Sequence, residues 1–261
     1  ARDYQGLNKV PTPGLPKVMV PTTAGTGSEV TFTSVLSNKE TREKAGINSP
    51  FLFPEVALLD PELTVSLPPP VTASTGMDAL AHAVESYTSL IASPMTETIS
   101  LEAIRLIAKN LHRAVSDPGD IEARNNMLMA SLLAGISLAN AGVTAVHALA
   151  YPLGGVHRIA HGVANGLLLP YVMEFNLEGS PGKFSEIARA FGRDPKPGNS
   201  VVAVRELSRS INLPQKLSDI KIPEKDISEM AQKAIKVSRP IENNPKKVTI
   251  EDLIMIYRQA F

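Results

Sequence analysis

From Asn125 to His157 the chain carries no Asp, Glu, Lys or Arg. An uncharged run of that length either crosses a bilayer or fills the interior of a folded domain. Ser131, Gly135, Ser137, Asn140, Gly142, Thr144 and His147 make it more polar than a lipid-facing span, so the expectation is a buried core helix and no membrane. Tyr151 follows His147 by about one helical turn, which directs both side chains to the same side.

A second feature lies upstream, where Asp78 and His82 stand four residues apart in Gly76-Met77-Asp78-Ala79-Leu80-Ala81-His82. That spacing projects a carboxylate and an imidazole from one helix face, a metal-ligand arrangement. A divalent transition metal accepts mixed nitrogen and oxygen donors. Three imidazoles with one carboxylate suit Fe²⁺ or Zn²⁺ without a thiolate, and the chain has no cysteine. The competing reading starts a helix at Asp78, near Thr75 and Gly76, with His82 a satisfied core histidine. Beyond Pro152, the segment Gly154-Gly155-Val156-His157-Arg158-Ile159-Ala160-His161-Gly162 holds two more histidines one turn apart. Spacing alone leaves open which of His157 and His161 is the ligand, and a helix-end histidine near a glycine cap is the alternative for either. His112, beside Arg113 and after Lys109, reads as part of a solvated face.

Near the start, Lys17-Val18-Met19-Val20 reads as a short buried strand running into Pro21-Thr22-Thr23-Ala24-Gly25-Thr26-Gly27-Ser28-Glu29. Glycines there let backbone approach a ligand closely, and Thr and Ser hydroxyls with exposed N–H groups can bond phosphate or ribose. The segment matches neither the P-loop nor the six-residue Rossmann glycine pattern. A strand, a turn and a Ser28 helix cap is the plainer reading.

Ser66-Leu67-Pro68-Pro69-Pro70 divides the chain into residues 1–67 and 68–261. Strand-like runs at 18–20, 31–36 and 55–59 precede it. Helical patterns at 97–114, 121–140, 183–191, 201–211, 224–237 and 249–260 follow, the last capped by Thr249 with Asp252 three residues on. The fold expected is mainly α, a C-terminal all-helical domain with a metal between its helices after a strand-containing part. With 26 basic and 26 acidic residues in 261 the formal charge is zero, so neither nucleic acid nor an anionic membrane is an expected partner; the ligands are small molecules. The lack of cysteine excludes disulfides and is compatible with a cytoplasmic protein.

The loop 21–31, the segment Val56-Ala57-Leu58-Leu59-Asp60-Pro61, the stretch from Ala73 to Glu85, the stretch from His147 to Pro170, and Asn243-Asn244-Pro245 with the final helix together resemble the iron-containing (group III) alcohol dehydrogenases. Relatives of that family include glycerol dehydrogenase and dehydroquinate synthase. The resemblance implies metal ligands at Asp78, His82, His147 and His161, which settles the choice against His157. It also implies that Thr22, Thr23, Thr26, Thr31, Val35 and Lys44, beside Gly25, Gly27 and Ser28 of the loop, line an NAD(P) cofactor, and that the reaction interconverts an alcohol with an aldehyde or ketone. Tyr151 falls where well-studied members often carry a further histidine that moves the alcohol proton. With a reference pKa about 10 it can donate or orient but is a weaker base near neutrality, and His157 is a second candidate for that relay. In the family a strand-rich half carrying the pyrophosphate-binding glycines precedes the Thr22 loop, so residues 1–67 are expected to be a remnant of an α/β dinucleotide-binding domain, with weak cofactor binding, poor turnover and homo-oligomeric association through an uncovered apolar face. The rival functions are a dehydroquinate-synthase-like lyase, which needs basic residues near the metal, and a non-catalytic metal-binding helical domain.

Overall fold

Pro69 and Pro70 open the first long helix, α1 (Pro69–Thr88). Proline is tolerated in a first turn because the N–H it lacks would have no partner within the helix. The prolines that end the strand-rich part therefore also start the helical one, and Asp78 lies inside α1 instead of at its beginning. From Thr72 to Thr88 every residue of α1 except Thr75 is buried. A helix apolar or small on all sides is covered on all sides. Its cover is α2 (Pro94–Ser116), α3 (Ile121–Ala141) and α5 (His161–Asn176), with α4 (Ala145–Val156) packed against α5.

The computed structural model describes residues 2–37 and 44–261. Its uncharged stretch is two helices, not one: α3 and α4 are bent by 104° across residues 142–144, and Gly142 makes the corner with a φ of 68°. Among the described residues no single helix is long and apolar enough to cross a membrane. The remaining helices are α6 (Pro181–Ala190), α7 (Pro197–Ser210), α8 (Ile227–Ala234), α9 (Ser238–Glu242) and α10 (Ile250–Gln259). Thr249 and Asp252 form the reciprocal cap expected for α10. The expected helix over 224–237 is shorter, because residues 224–226 form a 3₁₀ turn ahead of α8.

The protein is thus mainly helical with a small strand-containing N-terminal part. Three strands, β1 (Gly6–Leu7), β3 (Thr33–Ser37) and β4 (Lys44–Asn48), form a sheet in which β4 is central, parallel to β1 and antiparallel to β3. Two more, β2 (Val18–Met19) and β5 (Val56–Ala57), pair in parallel. The expectation that residues 17–20 form a buried strand fails: Val18 is 60% and Met19 41% exposed. Apolar composition suggests burial, but among the described residues β2 pairs only with β5, and Val18, Met19 and Val56 all stand exposed.

One buried side chain joins the end of the chain to the helical core. The Asn244 amide donates to Asn176 Oδ1 at 2.7 Å and to the Lys246 carbonyl at 2.6 Å, while its Oδ1 accepts from Asn176 Nδ2 at 2.9 Å and from the Ala145 N–H at 3.4 Å. It ties the start of α4 to the end of α5. Replacing it leaves several buried groups unpaired, each costing about 1–3 kcal/mol. Asn244→Ala is expected to destabilise the fold by roughly 2–3 kcal/mol in chemical denaturation; an unchanged midpoint would show that these bonds contribute nothing net.

Candidate metal centre

Three helices deliver four side chains to one point. Asp78 and His82 lie one turn apart on α1, His147 sits in the first turn of α4, and His161 is the first residue of α5. One donor atom from each lies within 4.8 Å of the other three; Asp78, His82 and His147 are buried and His161 is exposed. The His82 and His147 rings stack with centroids 4.8 Å apart and an interplanar angle of 22°, and His161 meets His147 edge-on at 5.2 Å. α5 comes close enough to bring His161 to Asp78 because Gly162 has no side chain: a Cβ there would lie 2.2 Å from the Ser74 carbonyl oxygen.

The surroundings orient the donors. Glu85 is buried on α1, three residues after His82 and seven after Asp78, so it shares their face. Its Oε1 accepts from the Thr144 N–H, the Thr144 hydroxyl and the Val146 N–H, each at 2.9 Å, and from the His147 N–H at 3.4 Å. Thr144 makes no side-chain cap of its own for α4. Glu85 thus supplies, from another helix, the negative charge and acceptor that a helix N-terminus requires. Its Oε2 takes the Nδ1 proton of His147 in a short contact. The Nδ1 of His82 donates to the Gly25 carbonyl at 3.3 Å. With both protons held at Nδ1, the Nε2 lone pairs of His82 and His147 are left for the centre, a tautomer assignment that follows from the hydrogen bonds. The amide Nδ2 of Asn165, one turn after His161, lies 2.7 Å from Asp78 Oδ1 and 3.1 Å from the Nε2 atoms of His147 and His161. Its Oδ1 is buried without a hydrogen-bond partner.

Electrostatics keep Asp78 and His82 in ligand form and act the other way on His147. Burial pushes the Asp78 carboxyl upward, but the three imidazoles and the Asn165 amide outweigh it and hold the group below the usual carboxylate range. Burial drives the His82 imidazole down to about 4, so it is neutral near pH 7. For the coupled pair, burial opposes charge on both partners, yet Glu85 is held low by His147 and Thr144, and His147 is raised by Glu85 and Asp78. The Nδ1 proton faces Glu85, away from the cluster, and the raised pKa means that without a cation His147 more readily carries a second proton at Nε2, which a metal must displace. An oxygen and three imidazole nitrogens converging in a buried pocket, with protons fixed on the far side of two rings, fit a divalent transition metal.

The other expected site residues are distributed differently. Tyr151 is half-exposed with its ring 6.4 Å from that of His161, and burial, then the Glu85 charge, raises its phenol above the ordinary value. His157 ends α4 and lies 3.6 Å from Asp226, outside the four-residue cluster. In the loop, Thr22, Thr26 and Ser28 are exposed while Gly25, Gly27 and Glu29 are buried. Gly25 seats against Thr75 of α1, where an added Cβ would meet the Thr75 Cβ at 2.7 Å. Gly27, with φ +59°, seats against Gly135 of α3, where an added Cβ would lie 2.5 Å from the Gly135 Cα. These glycines bring backbone close to helices, and the Thr26 hydroxyl bonds within the loop to Ser28. Thr31 is buried and Val35 is exposed on β3. Lys44 begins β4, and its side chain lies outside the described residues.

Glu85, Asn165 and the Gly25 carbonyl are the functional groups that sequence reasoning missed. For the first two a signal existed. Glu85 continues the i, i+4, i+7 face begun by Asp78 and His82, and Asn165 is four residues after His161. For a backbone carbonyl no side-chain pattern exists.

Residues 72–261 match the C-terminal model of the Fe-containing alcohol dehydrogenase family and residues 1–61 match the iron-containing alcohol dehydrogenase model. The chain is 43% identical over 265 residues to 1,3-propanediol dehydrogenase of Klebsiella pneumoniae, covering 99% of this chain and 68% of that one. It is 42% identical to long-chain-alcohol dehydrogenase 1 of Geobacillus thermodenitrificans with the same coverage. Its structure is similar to a crystal structure of 1,3-propanediol oxidoreductase, with a TM-score of 0.95 at 43% identity over 99% of this chain and 69% of that one. It is also similar to sulfoacetaldehyde reductase from Bifidobacterium kashiwanohense in complex with NAD⁺, with a TM-score of 0.91 at 36% identity over 99% and 68% of the two chains.

Removing the outer-shell partner of a metal-bound histidine typically costs 10–100-fold in metal affinity. Glu85→Gln keeps the shape but loses the charge, and is expected to weaken Zn²⁺ binding by roughly tenfold or more in a competition titration. Unchanged affinity would show that His147 is oriented without the carboxylate.

Proposed function

Because this chain belongs to the iron-containing alcohol dehydrogenase family, we propose that Asp78, His82, His147 and His161 hold one divalent cation, Fe²⁺ or in its place Zn²⁺, for hydride transfer between an alcohol and NAD(P). The observation that carries this reading is the convergence of four donor atoms within 4.8 Å of one another from three helices. A cation bound there supplies Lewis-acid polarisation of the substrate oxygen. Asp78 contributes the anionic donor that lowers the net charge of the site, and the imidazoles contribute neutral nitrogens. Glu85 holds the His147 proton at Nδ1, and Asn165 braces Asp78.

Thr22, Thr23, Thr26, Ser28, Thr31, Val35 and Lys44 are proposed to line the nicotinamide cofactor. The exposure of Thr22, Thr26 and Ser28 supports this, since hydroxyls can bond ribose and phosphate oxygens. Gly25 and Gly27 act in the same site by seating the loop. The dinucleotide assignment is further supported by the similarity to a reductase whose structure contains NAD⁺. Tyr151 is the group proposed to orient the substrate oxygen and, in the reducing direction, to donate a proton to it: it stands beside His161, reaches solvent, and its raised pKa keeps it protonated at neutral pH, a donor and not an acceptor of the alcohol proton. His157 is assigned a weaker place in that relay, through its contact with Asp226.

The same proposal includes a small-molecule alcohol or aldehyde as substrate, a homo-oligomeric state and a cytoplasmic setting. It also includes low turnover by this chain on its own, since the sheet beside the loop has few and short strands. Elemental analysis after chelator-free purification is expected to find near-stoichiometric iron or zinc, lost in both His147→Ala and His161→Ala. Metal retained in both variants would overturn the ligand assignment. An assay of alcohol-dependent NADH formation is expected to find a slow rate with this chain, and a rate of about 10 s⁻¹, ordinary for enzymes, would contradict the low-turnover part.

A further inference from the structure

The loop 21–31 and the cation ligands touch at one backbone atom. Gly25 is buried, its carbonyl accepts the Nδ1 proton of His82, and His82 is itself buried among Asp78 and His147. The carbonyl is where it is because the loop is wedged twice into the helical core. Gly25 lies on Thr75 of α1, with a hypothetical Cβ 2.7 Å from the Thr75 Cβ and 2.9 Å from its carbonyl oxygen; Gly27 lies on Gly135 of α3. Thr75 stands three residues before Asp78 on the same helix. Any outward shift of the loop withdraws the acceptor from His82.

We infer that Gly25 is a positioning residue for the cation site: its carbonyl fixes the His82 ring with the proton on Nδ1, so the seating of the loop on α1 sets how tightly the four side chains hold a divalent cation. This rests on the reading that those side chains bind a cation. A histidine ligand needs its second nitrogen to have an acceptor, which fixes tautomer and ring orientation and raises basicity toward the metal. His147 takes a carboxylate for this purpose, and His82 takes a peptide carbonyl from a different part of the chain. The loop that exposes Thr22, Thr26 and Ser28 therefore also supplies a ligand-orienting carbonyl.

Titration of the full chain with Co²⁺, followed by its visible d–d absorption, tests this. Gly25→Ala cannot be accommodated by a rotamer change, because one of the clashing atoms is the Thr75 carbonyl oxygen. It is expected to lower Co²⁺ affinity about tenfold, the lower end for loss of an outer-shell partner, and to shift the d–d spectrum. Thr98→Ala, which removes only an exposed α2 hydroxyl bonded to the Pro94 carbonyl, should leave both unchanged. Equal Co²⁺ affinity and spectrum for Gly25→Ala and the unaltered chain would overturn the inference. Failure of the unaltered chain to take up Co²⁺ would instead remove the cation reading itself. A second measurement needs no variant: histidine ¹⁵N spectra of the Zn²⁺-loaded chain should show His82 protonated at Nδ1 with that proton slow to exchange, and a His82 coordinated through Nδ1 would contradict the inference.

Discussion

The carboxylate of Glu85 holds the centre of this structure together. It belongs to α1, yet its oxygens accept the Thr144 and Val146 N–H groups that begin α4 and the ring proton of His147. A buried carboxylate without such partners would be strongly unfavourable, and a helix N-terminus inside a protein without an acceptor equally so. Each problem answers the other. The consequence is that α4 can start only where His147 stands over Asp78 and His82.

Around that contact small residues let backbone approach closely within a core that also holds Met77, Leu80, Leu167 and Leu168. α5 closes on α1 at Gly162, and the hydroxyl-rich loop seats through Gly25 on α1 and Gly27 on α3. Close backbone approach leaves little room for relative movement, so the donors from α1, α4 and α5 and the loop carbonyl are held by rigid elements. A metal site needs this, because ligand geometry must exist before the cation arrives if binding is not to be spent on ordering side chains.

Much of this was legible in the sequence where one side chain or one period carries the information. Most helices beyond Pro70, the Thr249 cap and the turn-spaced pairs Asp78/His82 and His147/Tyr151 follow from local rules, whereas the extents of α1, α5 and α9 do not. The uncharged run reads as interior, but its corner at Gly142 does not, since a single glycine is tolerated within many helices. β2 was read as buried because Val18, Met19 and Val20 are apolar, and whether an apolar strand is covered depends on neighbours that periodicity does not describe. β4 begins at the end of a polar, charged stretch and has no apolar alternation to show it. The two loop glycines suggest room for a ligand, and both also let the loop seat on helices. Glu85 was visible on the ligand face of α1, but its role depends on where α4 begins, and the carbonyl of Gly25 has no signature at all.

Four side chains from three helices are proposed to form one cation site whose donors are three imidazoles and one carboxylate. Diffraction from crystals grown with Fe²⁺ under anaerobic conditions, with data collected on both sides of the iron absorption edge, locates the ion. One strong anomalous peak is expected, bonded to Asp78 and to the Nε2 atoms of His82 and His147, together with His161. A peak elsewhere, or a peak there that lacks His147 or is bonded to its Nδ1, would contradict the proposal.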